Sequence, residues 1–366
     1  EKSKKYDVEE MRLKGLMLAD SNGSSSGPSE LSQVSSWHQY WEIDFAELSL
    51  GEEIGRGAFG SVFKGEWRNS VCVVKQLQSN RITKEAIDAF LKEANTVKSL
   101  RNHRNVCTIF GVTTNPETPI CIVMEYCSGG NLQSALGQQK IPLTVDNLIK
   151  IFKDITSGMG HVHLEGIVHC DLACRNMLVS FEGSDDFAVK ISDFGLARQI
   201  PKGQSISVSD DDIFPIRWSA PELLGTKILS AACDVWSFGV VMWEIIEGSI
   251  PFGLMNNAQV IQHICNEHGT LPEPSLISSK QLSSEFYDIM KSCWKYDPTE
   301  RLSFDELHKM FKDMNRNVIT DSKPITLSSK SHYANVSTER NMRYAKISEF
   351  RQNANDEPYG NNPNTQ

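Results

Sequence analysis

The sequence predicts an α+β fold in two parts: a small β-rich lobe with one key helix, followed by a larger, mainly helical lobe. Three observations point there. From Leu48 to about Tyr126 the apolar residues come in short strand-like runs, a single stretch of helical period interrupts them, and after Gly130 long amphipathic segments take over.

The elements follow in chain order. Residues 21–36 carry eight serines together with Gly23, Gly27 and Pro28. Such a stretch buries too little apolar surface to offset its chain entropy, so residues 1–47 read as a flexible segment and linker. The strand-like runs are 61–64, 71–76, 107–112 and 120–124, each rich in β-branched, aromatic or other apolar side chains. Between them, 83–100 places Ala86, Phe90, Ala94 and Val97 on one helical face. Residues 144–163 and 283–294 show the same periodicity. The apolar run 235–246 is broken by Ser237, Gly239 and Glu244 and reads as a buried helix. Beyond Arg316 the pattern fades, and the last sixteen residues include five asparagines and two prolines, so 316–366 is expected to be a flexible tail. The globular part then covers 48–315, with the small lobe at 48–126 and the large one at 127–315.

Composition narrows the class. With 40% hydrophobic and 23% charged residues the chain is an ordinary globular protein. A net charge of −9 gives no electrostatic reason to expect nucleic acid or an anionic membrane as partner. The nine cysteines form no CxxC pair, which suggests reduced thiols in the cytosol. No set of residues has zinc-ligand spacing; His161 and His163 flank Val162 with no cysteine cluster nearby. No apolar stretch reaches the ~20 residues of a membrane span, and the charged first ten residues resemble no secretory signal. The chain begins at Glu1 rather than Met and is expected to be cut from a longer parent. A cytoplasmic location follows, alone or as the intracellular portion of a larger membrane receptor.

Gly55-Arg-Gly-Ala-Phe-Gly60-Ser-Val62 is a GxGxxG run, in which glycine lets backbone N–H groups approach phosphate oxygens. Dinucleotide-binding folds share this spacing but need a strand before the glycines and a helix straight after them. Here a strand follows. Lys75 ends the run Val71-Cys-Val-Val-Lys75, where a lysine is costly unless it meets negative charge. Glu93 in the helix is the candidate partner, with ATP phosphates as the second; a solvated lysine is the open alternative. The decisive stretch is His169-Cys-Asp-Leu-Ala-Cys-Arg-Asn176, followed by Asp193-Phe-Gly195 and Ala220-Pro-Glu222. Phosphoryl transfer needs a carboxylate to orient the attacking hydroxyl and oxygen ligands for Mg²⁺. Asp171 suits the first role; Asn176 and Asp193 suit the second.

With these motifs, the sequence over residues 48–315 resembles the eukaryotic protein kinase family. The resemblance implies the bilobal protein kinase fold, protein substrates, and transfer of the ATP γ-phosphoryl group with Mg²⁺ (or Mn²⁺). It assigns Lys75 to the α/β-phosphates, Glu93 to the helix that clamps it, and Asp171 to the role of base, with Arg175 in the same loop. Asn176 and Asp193 become the metal ligands. Ile54, Gly55, Gly57, Ala58, Phe59, Gly60, Val62, Val73 and Leu178 join Lys75 around the nucleotide. Met124-Glu-Tyr-Cys127 is similar to the hinge, with Met124 as gatekeeper and backbone near Glu125 and Cys127 for adenine. Glu222 would pair with Arg301, and Asp234-Val-Trp-Ser-Phe-Gly239 matches the helix beneath the catalytic loop.

Two features resemble tyrosine kinases in particular. Ala173 stands where serine/threonine kinases usually carry lysine, with Arg175 two residues on, and Phe214-Pro-Ile-Arg-Trp-Ser-Ala-Pro-Glu222 resembles the tyrosine-kinase substrate platform, Pro215 shaping a shelf for a phenol ring. By contrast, Trp41-Glu-Ile-Asp-Phe-Ala-Glu-Leu resembles the opening of tyrosine-kinase-like serine/threonine enzymes, which keeps serine/threonine or dual specificity as the alternative. A pseudokinase scaffold is a further alternative, against which stand the retained Lys75, Asp171 and Asp193. Two positions depart from the family. Val73 replaces the usual alanine, with a modest expected effect on nucleotide affinity. Cys170 replaces the usual arginine, which cannot then grip a loop phosphate. Asp193 to Glu222 holds no tyrosine but does hold Asp210, Asp211 and Asp212. Activity is therefore expected not to wait for loop phosphorylation; Ser205, Ser207 and Ser209 are the alternative switch. In the tail, Tyr333, Tyr344 and Tyr359 are candidate self-phosphorylation sites. The Asn two residues after Tyr333 and Tyr359 resembles a preference of phosphotyrosine-binding adaptor domains. The plain alternative is that three tyrosines in such a tail carry no meaning.

Overall fold

The computed structural model describes residues 41–56, 60–77, 84–115, 117–183, 186–317 and 344–346, apart from the side chains of 84–89 and 315–317. They form two compact units, divided at Lys98/Ser99, Cys107/Thr108 and Tyr126/Cys127. The last division coincides with the boundary expected from sequence. Residues 99–107, read with the small lobe, instead pack within the second unit: Cys107 N–H donates to Ile191 O at 2.8 Å and Val106 forms a bridge with Ile191.

The first unit comprises β1 (Leu48–Arg56), β2 (Gly60–Trp67), β3 (Ser70–Leu77), α1 (Lys84–Ser99), β4 (Ile109–Thr113) and β5 (Cys121–Glu125). The strands make one antiparallel sheet in the order β1-β2-β3-β5-β4. Alternation along β3 sends Cys72 and Val74 to one face, with Ile43, Cys121 and Val123. Leu77 goes to the other, against Phe90 and Ala94 of α1 with Val112 and Ile122. Val73 and Lys75 share the parity of Leu77, so the pleat itself turns Lys75 toward the helix side. Burying a Phe90-sized side chain contributes about 1.5–3 kcal/mol, which holds α1 to the sheet more firmly than helix propensity does.

Residues just upstream of Leu48 also pack against this sheet. Ile43 is buried, its N–H donates to Val112 O at 2.8 Å, and Val112 N–H donates to Trp41 O at 3.0 Å. Asp44 caps a short turn at Phe45–Glu47 by accepting from Ala46 N–H. Strand β1 is exposed, and its pairing with β2 shifts register between Leu50 and Glu53 and between Glu53 and Gly55. Those irregularities break the period of two, which is why β1 left no clear pattern in the sequence.

The second unit begins with β6 (Gly130–Asn131), α2 (Leu132–Gly137), α3 (Val145–Leu164), β7 (Ile167–Val168), β8 (Met177–Phe181) and β9 (Phe187–Ile191). The chain continues through β10 (Arg198–Gln199), β11 (Ser205–Ser207), β12 (Ile213–Pro215), α4 (Pro221–Thr226), β13 (Ile228–Ser230) and α5 (Ala231–Glu247). It ends with α6 (Asn257–Ile261), α7 (Ser275–Ser278), α8 (Glu285–Cys293), α9 (Phe304–Asn317) and β14 (Tyr344–Lys346). Thr144 caps α3 by accepting from Asn147 N–H; Ser230 caps α5, which stops at Gly248 in the left-handed region. Phe152 of α3 meets Phe238 of α5 (ring centroids 6.2 Å apart) and Phe311 of α9 (5.3 Å) in the core. The sheet β6-β8-β9 lies alongside. The loop before β8 carries 169–176 and the turn after β9 carries Asp193, so one hairpin brings both motifs to one end. The segment 316–366, expected to be flexible, supplies a strand: β14 pairs antiparallel with β12.

Candidate active site

In the first unit, Lys75 Nζ donates to both Glu93 carboxylate oxygens at 2.7 Å. Glu93 is buried, so its charge is compensated where an unpaired one would be costly. A Cβ on Gly60 would lie 1.9 Å from Gln76 O, so packing alone demands glycine there. Among the described residues, a Cβ on Gly55 would meet Val62 Cβ at an ordinary 3.8 Å. Gly57, Ala58 and Phe59 lie outside the described residues. Ile54 is exposed on β1 and Val62 half-buried on β2, while Val73 is paired with Met124 across β3 and β5. Glu125 N–H donates to Thr108 O at 3.0 Å, and its carboxylate accepts from Thr108 N–H at 2.6 Å.

In the second unit, the catalytic loop hangs on one buried carboxylate. Asp234, in the first turn of α5, accepts from His169 N–H at 2.7 Å and Cys170 N–H at 2.9 Å, with His163 Nε2 at 2.9 Å. Burial alone would push its carboxyl up, but the His163 and backbone hydrogen bonds hold it below the usual carboxylate range. This anchoring supports left-handed backbone at Cys170 (φ 66°); Asp193, after β9, is left-handed as well (φ 63°), and side-chain-bearing residues rarely adopt that conformation. Asn176 Nδ2 donates to Asp171 O at 2.8 Å, and Ser192 donates to Asn176 O through its N–H (3.0 Å) and hydroxyl (2.9 Å). The two loops are thereby tied together.

Asp171 is 4% exposed. Burial pushes its carboxyl up, the Arg175 charge opposes, and Asp193 raises it further; the net effect is upward. Arg175 contacts Asp171 Oδ1 and lies over the Trp218 ring at 4.6 Å. Its Nη1 is buried without a hydrogen-bond partner among the described residues. Tyr344 reaches the same carboxylate, its hydroxyl donating to Asp171 Oδ2 at 2.8 Å. Arg175 donates to that phenol oxygen from Nε (3.1 Å) and Nη2 (2.9 Å). Glu244 is the group the sequence reading passed over. Buried in α5, it accepts from Cys174 N–H (3.2 Å) and Trp218 Nε1 (3.1 Å), joining the catalytic loop to the platform. A lone carboxylate inside the apolar run 235–246 was the available signal, since buried charge is retained only when paired.

Asn176 and Asp193 form an oxygen-donor pair that fits a hard divalent cation. The Nδ2 bond to Asp171 O leaves Oδ1 as the ligating end of Asn176. Asp193 is exposed, and no described residue donates a hydrogen bond to it. Of the remaining candidates, Leu178 is half-buried on β8 and Cys127 is buried. Around the site, Arg301 grips Glu222 with two bonds of 2.6 and 2.7 Å. Arg217, fully buried, donates to Pro251 O at 2.6 Å and pins the platform. The three consecutive aspartates of the activation segment have cationic partners: Asp210 with Lys227, Asp211 with Lys346 (3.0 Å) and Asp212 with Arg198 (3.0 Å). Burial and then Asp234 push the Cys170 thiol well up, so that position presents a neutral group.

Known proteins share these motifs. A family model described as protein tyrosine and serine/threonine kinase matches residues 48–311. The chain is 36% identical over 272 residues to the tyrosine-protein kinase transforming protein Fps of avian sarcoma virus (strain PRCII), covering 74% of this chain and 49% of the relative. It is 36% identical over 271 residues to the tyrosine-protein kinase Btk of Drosophila melanogaster (73% and 32%). With the human tyrosine-protein kinase TXK it shares 37% over 272 residues (74% and 49%). The chain thus spans about half the length of these relatives, or less. The chain belongs to the protein tyrosine and serine/threonine kinase family.

Proposed function

We propose that this chain transfers the γ-phosphoryl group of ATP to tyrosine hydroxyls of protein substrates. One observation carries the choice of tyrosine: a phenol whose backbone is paired at Pro215 reaches Asp171 with its oxygen, 2.8 Å from Oδ2. A serine in that register would end at its β-oxygen, short of the carboxylate by the length of the ring.

The roles follow from chemistry. Asp171 accepts the hydrogen bond of the attacking hydroxyl and takes its proton; its upward-shifted carboxyl is a better base than an ordinary aspartate. Arg175 lies against the phenol oxygen and stabilises charge developing there. Lys75, positioned by Glu93, holds the α/β-phosphates, and Asn176 with Asp193 holds Mg²⁺, for which Mn²⁺ is a substitute. The bound metal supplies charge neutralisation for the phosphates. Gly55, like the other glycines of its run, supports close approach of backbone to phosphate. Ile54, Val62, Val73, Met124, Cys127 and Leu178 supply apolar surface for adenine. Nine free cysteines, eight of them buried, support a cytosolic placement. Phosphate on Tyr333, Tyr344 or Tyr359 would offer a docking group to phosphotyrosine-binding adaptors; Tyr333 and Tyr359 lie outside the described residues.

The test is phosphoamino-acid analysis of peptides treated with purified protein, ATP and Mg²⁺. Phosphotyrosine is expected, with turnover falling roughly 10²–10⁴-fold in Asp171→Asn and strongly in Lys75→Met. Phosphoserine and phosphothreonine alone would reverse the specificity. A near parental rate in Asp193→Asn would remove the metal assignment.

A further inference from the structure

Segment 344–346 occupies the substrate platform in a particular way, and each of its side chains is accounted for. In the β12–β14 register, Tyr344 faces Pro215, Ala345 faces Phe214 and Lys346 faces Ile213. The Tyr344 hydroxyl donates to Asp171 Oδ2 and accepts from Arg175, while part of its ring stays exposed (37%). Ala345 is 7% exposed, packed where a larger side chain would have to displace its neighbours. Lys346 Nζ pairs with Asp211 at 3.0 Å.

We propose that Tyr344 is the enzyme's own phosphoacceptor, delivered within the same chain, and that tyrosine–small residue–lysine is the acceptor pattern this platform reads. The proposal rests on the tyrosine-kinase reading above and names a substrate for that same site. The hydroxyl already makes the hydrogen bond that a nucleophile makes with its base before transfer. A lone pair of Tyr344 Oη attacks the γ-phosphorus of ATP and a new O–P bond forms. The bond from that phosphorus to the β–γ bridging oxygen breaks, and its electron pair leaves with ADP. The phenolic proton passes to Asp171 Oδ2 and then to solvent. Arg175 keeps one uncommitted donor, Nη1, for the added phosphoryl oxygens. Attachment to the catalytic unit through residues 318–343 gives Tyr344 an effective concentration that a free peptide does not reach.

One sequence feature separates Tyr344 from the other tail tyrosines. All three are followed by a small residue (Ala334, Ala345 and Gly360), but only Tyr344 has a basic residue next, Lys346, against Asn335 and Asn361. The acidic Asp211 beside Lys346 therefore selects Tyr344 as the first site.

The experiment follows phosphate on each tail tyrosine by mass spectrometry, using the full chain after phosphatase treatment, with ATP and Mg²⁺, at two enzyme concentrations tenfold apart. A tyrosine peptide of unrelated sequence is present as an internal reference. Tyr344 is expected to be modified first, at a per-molecule rate independent of enzyme concentration. Lys346→Glu should lower Tyr344 phosphate about tenfold relative to the reference peptide, and adding Asp211→Lys should restore most of it. Modified peptide with unmodified Tyr344 overturns the proposal and leaves the kinase reading standing. A Tyr344 rate that scales with enzyme concentration overturns delivery within the chain. Phosphate on neither peptide nor Tyr344 brings down the tyrosine reading and this proposal together.

Discussion

In the proposed mechanism Asp171 is an anion that accepts a proton, yet it sits where anions are disfavoured. Its native carboxyl is raised above the ordinary aspartate value of about 3.9. The folded protein therefore binds that proton more tightly than the unfolded chain, and stability falls as pH rises through the window between the two values. Two results should follow. The acidic limb of the kcat/KM profile should lie above the range of an ordinary aspartate, and move higher still in Arg175→Ala, where the opposing charge is gone. Asp171→Asn, which keeps the neutral form, should unfold at pH 7 at a temperature no lower than the parent, read by thermal denaturation. A variant that is both inactive and clearly less stable would show that Asp171 is structural. Asp234 behaves oppositely: its lowered carboxyl contributes stability above the ordinary range and loses it as pH falls through the native value. Both carboxylates were visible as motif positions in the sequence. Their opposite shifts were not, because these depend on which neighbours the fold supplies: three donors for one, an arginine and a second aspartate for the other.

Among the elements, the activation segment is held by charge at several points. Arg301, its side chain fully buried, grips Glu222 through two bonds. Removing one partner strands a buried charge, so Arg301→Ala is expected to cost about 3–5 kcal/mol, measurable by denaturant unfolding. Further along, Arg198 and Lys227 meet Asp212 and Asp210, permanent anions in a segment that contains no tyrosine. Phosphatase treatment is accordingly expected to leave peptide turnover within about twofold of the untreated enzyme. Loss of activity on that treatment, mimicked by the Ser205/Ser207/Ser209 triple alanine, would show a serine switch instead. The sequence showed the three aspartates and Cys170; the cationic partners of the aspartates come from β10, from the residue after α4 and from β14, positions that no local pattern connects. Strands β1 and β14 were missed for related reasons. One carries bulges, and the other is three residues long, below the reach of any periodicity.

For the molecule as a whole, much was settled by local chemistry. The short apolar runs of β3 and β5, the helical period of α1 and α3, and the motifs 169–176 and 193–195 each report on a few adjacent residues, and such signals survive without tertiary context. They were enough for the α+β class, the two-lobed fold and the kinase family. Tertiary structure decided what depends on distant partners. It set Glu244 between Cys174 and Trp218, fastened residues 41–47 to the sheet, moved 99–107 into the second unit, and made Gly60 a position where packing requires glycine. It also paired Tyr344, one of three similar tyrosines in a polar tail, with β12 beside Asp171. The physical reason is common to all of these. Periodicity and motif spacing encode the direction in which a side chain points, whereas the identity of what it meets is fixed only when chain segments far apart in sequence are brought together.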